Sequence, residues 1–97
     1  MPYSRFMIKS FRHRGLKELF ERGASAKVAA PLVKRVMIRL DAIDAAASLH
    51  SLNQPGFEFH LLRGKPQRYS IHVNGPWCIT FEWDGTDAIR IDLEQYH

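Results

Sequence analysis

The sequence predicts an α+β domain in which two N-terminal helices pack on one face of a small antiparallel sheet. Three observations carry that expectation. The front of the chain places apolar residues at helical spacing, the back half alternates apolar with polar residues, and short Gly, Pro, Asn and Asp turns separate the alternating runs. A chain of 97 residues, 45% hydrophobic and 25% charged, suits one domain spanning 1–97, and no repeat or low-complexity tract divides it.

Each element follows from its own pattern. "RFMIKSF" alternates and reads as a first strand. "RGLKELFERG" sets Leu16, Leu19 and Phe20 on one helical face and stops at Gly23, a C-terminal stop signal. A longer helix is expected from about Ala29 to Ala47, with Leu32, Val36, Leu40 and Ile43 as its buried stripe and Pro31 confined to the first turn. "SLNQPGFE" is a connector. Beyond it Phe57, Phe59 and Leu61 alternate with Glu58 and His60, and Tyr69, Ile71 and Val73 alternate with Ser70 and His72. "NGP" turns into "WCITFEW", where Trp77, Ile79, Phe81 and Trp83 alternate with Cys78, Thr80 and Glu82. "DGTD" then leads to Ile89, Ile91 and Leu93, which alternate with Arg90 and Asp92. The result is a meander whose apolar face the helices cover.

That alternation also sorts the polar residues. With the apolar faces aligned, His60, His72, Cys78, Thr80, Glu82 and Arg90 share the uncovered face, and Arg63, Lys65, Arg68 and the tail "EQYH" reach its rim. A lone cysteine is usually a small buried hydrophobe, so its place on the polar side is unusual. One cysteine excludes an internal disulfide and fits a reducing cytoplasm; no apolar run suits a membrane span and no signal peptide opens the chain. His60, His72 and Cys78 have metal-binding side chains, but their spacing matches no zinc signature, so neither metal nor cofactor is expected. The net charge of +4 is concentrated at the front, where Arg5, Lys9, Arg12, Arg14, Lys17 and Arg22 face only Glu18 and Glu21. A pI near 9.6 points to a polyanionic partner. Because both helices are needed for the core, none remains to read a duplex groove, which favours single-stranded RNA.

The segments "MIKSFRHRGLKELFERG", "RLDAIDAA", "FHLLRGKPQRYSIHVNGPW" and "DLEQYH" resemble the HigB-type toxins of the RelE superfamily, small bacterial toxins encoded beside an antitoxin. The likeness runs from Met7 to His97 and leaves residues 1–6 as an N-terminal extension. It implies a RelE-like microbial ribonuclease-type fold and a cytoplasmic toxin that cleaves messenger RNA on the translating ribosome. The chemistry implied needs no metal: the ribose 2′-hydroxyl attacks the adjacent phosphorus and the 5′-oxygen leaves. It requires a base, an acid and positive charge on the phosphate.

Carried over motif by motif, the resemblance implies His60, Arg63, Tyr96 and His97 as the catalytic set. The arginine of the family's "W-R-I" motif falls on Cys78. Arg68, Arg90 or Arg63 is then expected to supply the missing charge, and Lys65, His72 and Cys78 complete the phosphate or RNA-binding set. The implied partner is a HigA-type helix-turn-helix antitoxin, with DNA bound only through that complex. Arg12, His13, Arg14 and Lys17 are a candidate surface for the ribosome or the antitoxin. Loss of the "W-R-I" arginine leaves an alternative: a weak or inactive binding module that acts by occlusion, as the ParE-type toxins do on gyrase, or as an operon co-repressor.

Overall fold

The computed structural model of the protein describes residues 7–95. Two helices, α1 (Arg14–Arg22) and α2 (Ala30–Asp44), precede a short 3-10 turn at Leu49–Leu52 and four strands: β1 (His60–Leu62), β2 (Arg68–Asn74), β3 (Trp77–Trp83) and β4 (Ala88–Gln95). The strands form one antiparallel sheet in the order β1-β2-β3-β4. This is the α+β arrangement that the sequence predicts. Among the described residues no helix is long and apolar enough to cross a membrane.

Local chemistry sets the helix ends. His13 caps α1 by accepting the Leu16 N–H at its Nδ1, 3.1 Å away. Gly23 closes the helix in the left-handed region at φ 80°, where a side chain would be strained, and its N–H donates to the Leu19 carbonyl at 2.8 Å. Leu16 and Leu19 from α1 meet Leu32, Val36, Leu40 and Ile43 from α2 over the sheet residues Ile71, Val73, Ile79, Phe81, Ile91 and Leu93. The core lies between that helical layer and one face of the sheet. Helix α2 ends earlier than expected. Its Asp44 carboxylate accepts the backbone N–H groups of Met7 and Ile8 at 3.1 and 3.3 Å, and Ser48 is already extended ahead of the 3-10 turn.

Three strand expectations change. The segment expected as a first strand touches β4 only at two parallel bridges, Ile8 to Ala88 and Phe11 to Ile91; its Arg5 and Phe6 lie outside the described residues. Between those two bridges β4 carries a bulge. Thr80 faces Asp92 while Glu82 faces Ile89, so β4 holds one residue more than β3 across that interval. The bulge also reverses which side chains point inward: Ala88 and Ile91 are buried, and Ile89 leaves the core face to lie opposite Glu82. Strand β1 is shorter than the alternation suggests. Glu58 adopts a left-handed conformation at φ 47°, so the ladder begins only at His60. Phe57 enters the core, Phe59 stacks on Tyr69 with centroids 5.7 Å apart, and Leu61 is 62% exposed on the sheet edge.

Candidate nucleic-acid interface and catalytic face

Strand register arranges the polar face in rows. His60, Ser70, Thr80 and Asp92 lie side by side across β1 to β4, and His72, Cys78 and Glu94 form the next row across β2 to β4. On the other side of the first row, Leu62 pairs with Arg68 and Glu82 with Ile89. His60 and Arg68 are therefore diagonal neighbours, a separation of about 7–8 Å between backbones.

A small recess of about 90 Å³ opens around Cys78, lined by Glu58, His60, Ser70, His72, Trp77 and their turn. The His60 Nδ1 lies 2.9 Å from the Glu58 carbonyl, an atom that only accepts, so the neutral ring carries its proton on Nδ1. Nε2 is then the nitrogen that takes up a proton. His72 sits with Nδ1 3.4 Å from the Glu58 carboxylate and Nε2 3.1 Å from the Gly75 carbonyl.

The polar face is not bare. Cys78 is 4% exposed, and Ser70 and Thr80 are each 2% exposed, because longer side chains lie across the sheet centre. Arg68 donates through Nη1 to the Glu94 carboxylate at 2.6 Å and reaches Thr80 Oγ1 at 3.4 Å, while the Thr80 hydroxyl makes a short hydrogen bond to the same carboxylate. The Cys78 Sγ points at the Glu94 carbonyl, 3.6 Å away. Burial pushes the Cys78 thiol up and outweighs the hydrogen bond with Ser70 that pulls it down; the Glu94 charge adds a smaller push upward and Arg68 a smaller pull downward. The group is a neutral thiol at neutral pH, which removes thiolate chemistry from this position. Burial also pushes the Glu94 carboxyl up, but hydrogen bonds from Thr80 and Arg68 and the Arg68 charge outweigh it and hold Glu94 below the usual carboxylate range.

Arg90, at the bulge, pairs with Glu82 through Nη1 at 2.9 Å. It lines a groove of about 860 Å³ together with Phe11, Arg12, Pro66, Arg68 and Glu82. Arg63 and Lys65 are exposed on the β1–β2 connection. The residues expected as one front surface separate. Arg12 faces the groove, His13 is taken up in capping α1, Arg14 is exposed, and Lys17 lines a different hollow of about 450 Å³ with Ile8, Lys9, Phe11, Phe20 and Glu21. Tyr96 and His97 lie outside the described residues. Among the described residues no cluster of three or more His, Cys, Asp or Glu is arranged to hold a metal ion.

The family model described as "RelE-like toxin of type II toxin-antitoxin system HigB" matches residues 9–97. The chain belongs to the HigB-like toxins. A relative, Endoribonuclease HigB of Proteus vulgaris, is 45% identical over 92 residues, which cover 94% of this chain and the whole of that protein. Membership of a type II toxin–antitoxin family implies an antitoxin as partner.

Two residues of this HigB-like toxin were given no role by the sequence reasoning. Glu94, which holds Arg68, could have been found by continuing the Arg90 and Asp92 alternation one step along β4. Arg39 is 6% exposed and donates to the His72, Arg35 and Gly56 carbonyls, with its guanidinium 4.9 Å from the Phe57 ring centre. Its signal was position: Arg39 lies three residues after Val36 and four before Ile43, inside the apolar stripe of α2.

Proposed function

We propose that this toxin is an endoribonuclease that cleaves messenger RNA on the translating ribosome in the cytoplasm. Family membership and the full-length likeness to Endoribonuclease HigB support the reaction class. In the proposed chemistry His60 Nε2 takes the proton from the ribose 2′-hydroxyl, which attacks the neighbouring phosphorus. The 5′-oxygen leaves with a proton and a 2′,3′-cyclic phosphate remains; Tyr96 and His97 are the proposed donors and stacking groups. Arg68 and Arg63 stabilise the charge that builds on the phosphate oxygens, in place of the family arginine that Cys78 replaces. No metal is needed, since base, acid and cations are all side chains. The single observation that carries this proposal is the diagonal placement of His60 beside Arg68 on one sheet face. The proposed partner is a HigA-type helix-turn-helix antitoxin, through which the toxin meets operator DNA.

A specific feature favours a second reading. Arg68 is engaged by Glu94 and Arg90 by Glu82, so part of the cationic charge is already neutralised. A face of that kind suits a binding module that acts by occlusion. Mapping messenger RNA 5′ ends after induction without antitoxin separates the two, with translation running and with translation blocked. Cuts are expected to require translation, to vanish in His60→Ala, and to survive Cys78→Ala because the neutral thiol takes no part. Growth arrest without cuts would refute the nuclease.

A further inference from the structure

We infer that the groove lined by Arg12, Arg68 and Arg90 is a second phosphate track for the substrate RNA, distinct from the recess at His60, and that Arg12 contacts that strand. The inference rests on the RNA-cleaving proposal for the identity of the strand. Its geometry stands independently.

The backbone on both sides of the groove is fixed. The N–H groups of Arg12 and His13 donate to the Ile91 carbonyl at 2.8 and 3.1 Å, which anchors the front segment beside the bulge. Across from it the Arg90 N–H donates to Ser10 Oγ at 2.8 Å. Arg90 is held at φ 51°, a left-handed conformation that a residue with a side chain rarely adopts outside constrained sites. Bulges re-aim side chains, and this one turns the Arg90 guanidinium into the groove.

Charge then distinguishes the three arginines. Arg68 and Arg90 each hold a carboxylate, from Glu94 and Glu82. Arg12 is exposed and forms no ion pair among the described residues; it attracts the Glu94 carboxylate only at longer range, so a phosphate can meet it without breaking a direct contact. Phe11 and Pro66 add apolar surface in the same groove, on which a base can rest. Arg68 stands where the groove meets the catalytic row, and Arg90 lies two strands away on β4, about 10 Å across the sheet. An RNA strand whose reacting phosphate sits at His60 and Arg68 therefore reaches Arg12 and Arg90 with a neighbouring phosphate, not with the scissile one.

The test is fluorescence anisotropy of the full chain with a short 2′-O-methylated oligouridylate, which cannot be cut, across a range of salt concentrations. Arg12→Gln is expected to weaken binding and to lower the slope of log affinity against log salt by about 0.7, the value for one lost contact to a single strand. Glu82→Gln is expected to do the opposite, with tighter binding and a steeper slope as Arg90 is released; a gain of this kind cannot come from misfolding. Lys34→Gln, on α2 away from the sheet's polar face, should change neither. An unchanged slope in Arg12→Gln, or an equal loss in Lys34→Gln, overturns the inference. So does a loss seen only on vacant ribosomes, which would assign Arg12 to ribosomal RNA. Messenger RNA cleavage with an unchanged Arg12→Gln slope sinks the groove alone. A reduced slope in a toxin that makes no cuts keeps the groove and sinks the nuclease.

Discussion

Arg68, Glu94 and Thr80 form a unit in which one carboxylate holds a cation and a buried hydroxyl. The consequence for stability follows from the direction in which Glu94 is displaced. Its carboxyl lies below the usual range in the folded protein, so the stability it contributes is fully present above the unfolded value near 4.5 and is lost as pH falls through the lower folded value. Glu94→Gln should therefore lower the melting temperature at pH 7, with the difference from the parent protein shrinking as the pH is taken down below 4.5. A difference that stays equal over that range would show that charge is not what the residue contributes. Cys78 stands in the same row with its thiol held neutral, so this position of the polar face is uncharged and buried.

Among the elements, α1 shows how close contacts override propensity. Gly15 sits in its first turn, where alanine would ordinarily stabilise the helix by about 1 kcal/mol. A Cβ there would lie 2.7 Å from Lys27 Cβ and 2.8 Å from His13 Cε1. Lys27 Cβ is fixed to its backbone, and His13 can move only by giving up the cap on Leu16. Overpacking costs about 1–3 kcal/mol and a lost cap about 1 kcal/mol, so Gly15→Ala is expected to destabilise the protein by about 1–3 kcal/mol after the propensity gain. Urea unfolding measures this directly, and a more stable variant would show that the packing there yields.

At the level of the whole molecule, Arg39 ties the layers together. It leaves α2, passes over the Phe57 ring, and donates to carbonyls of β2 and of the preceding connector. Strand β2 also carries Arg68 and His72, so this clamp supports the candidate site from the opposite side of the sheet. Arg39→Ala should cost about 3 kcal/mol, since it removes a buried guanidinium and its charged hydrogen bonds to the His72, Arg35 and Gly56 carbonyls. Arg39→Lys should recover little, because an ammonium cannot reproduce the forked set of donors. A denaturation midpoint for Arg39→Lys close to that of the parent would refute the clamp.

The legible part of this protein was whatever depends on periodicity and on local stop signals. Spacing of 3.6 placed Leu16, Leu19, Leu32, Val36, Leu40 and Ile43 in the core, and alternation placed Ile71, Val73, Ile79 and Phe81 there too. It also assigned His60, His72 and Cys78 to the other face, because side-chain direction in a strand is a matter of counting. Counting fails where the ladder gains a residue. The bulge at Arg90 moved Ile89 off the core face, and its left-handed backbone is stabilised by Ser10, a residue 80 positions away. The same limit hid the neutralisation of Arg68 by Glu94, the burial of Cys78, and the division of the basic front between a helix cap and a groove. Sequence alone determined the two helices, the four-strand meander and the faces of β2 and β3, since these follow from the local geometry of the chain. Tertiary structure decided which charges meet and which stay exposed, because that depends on side chains from distant segments sharing one small volume.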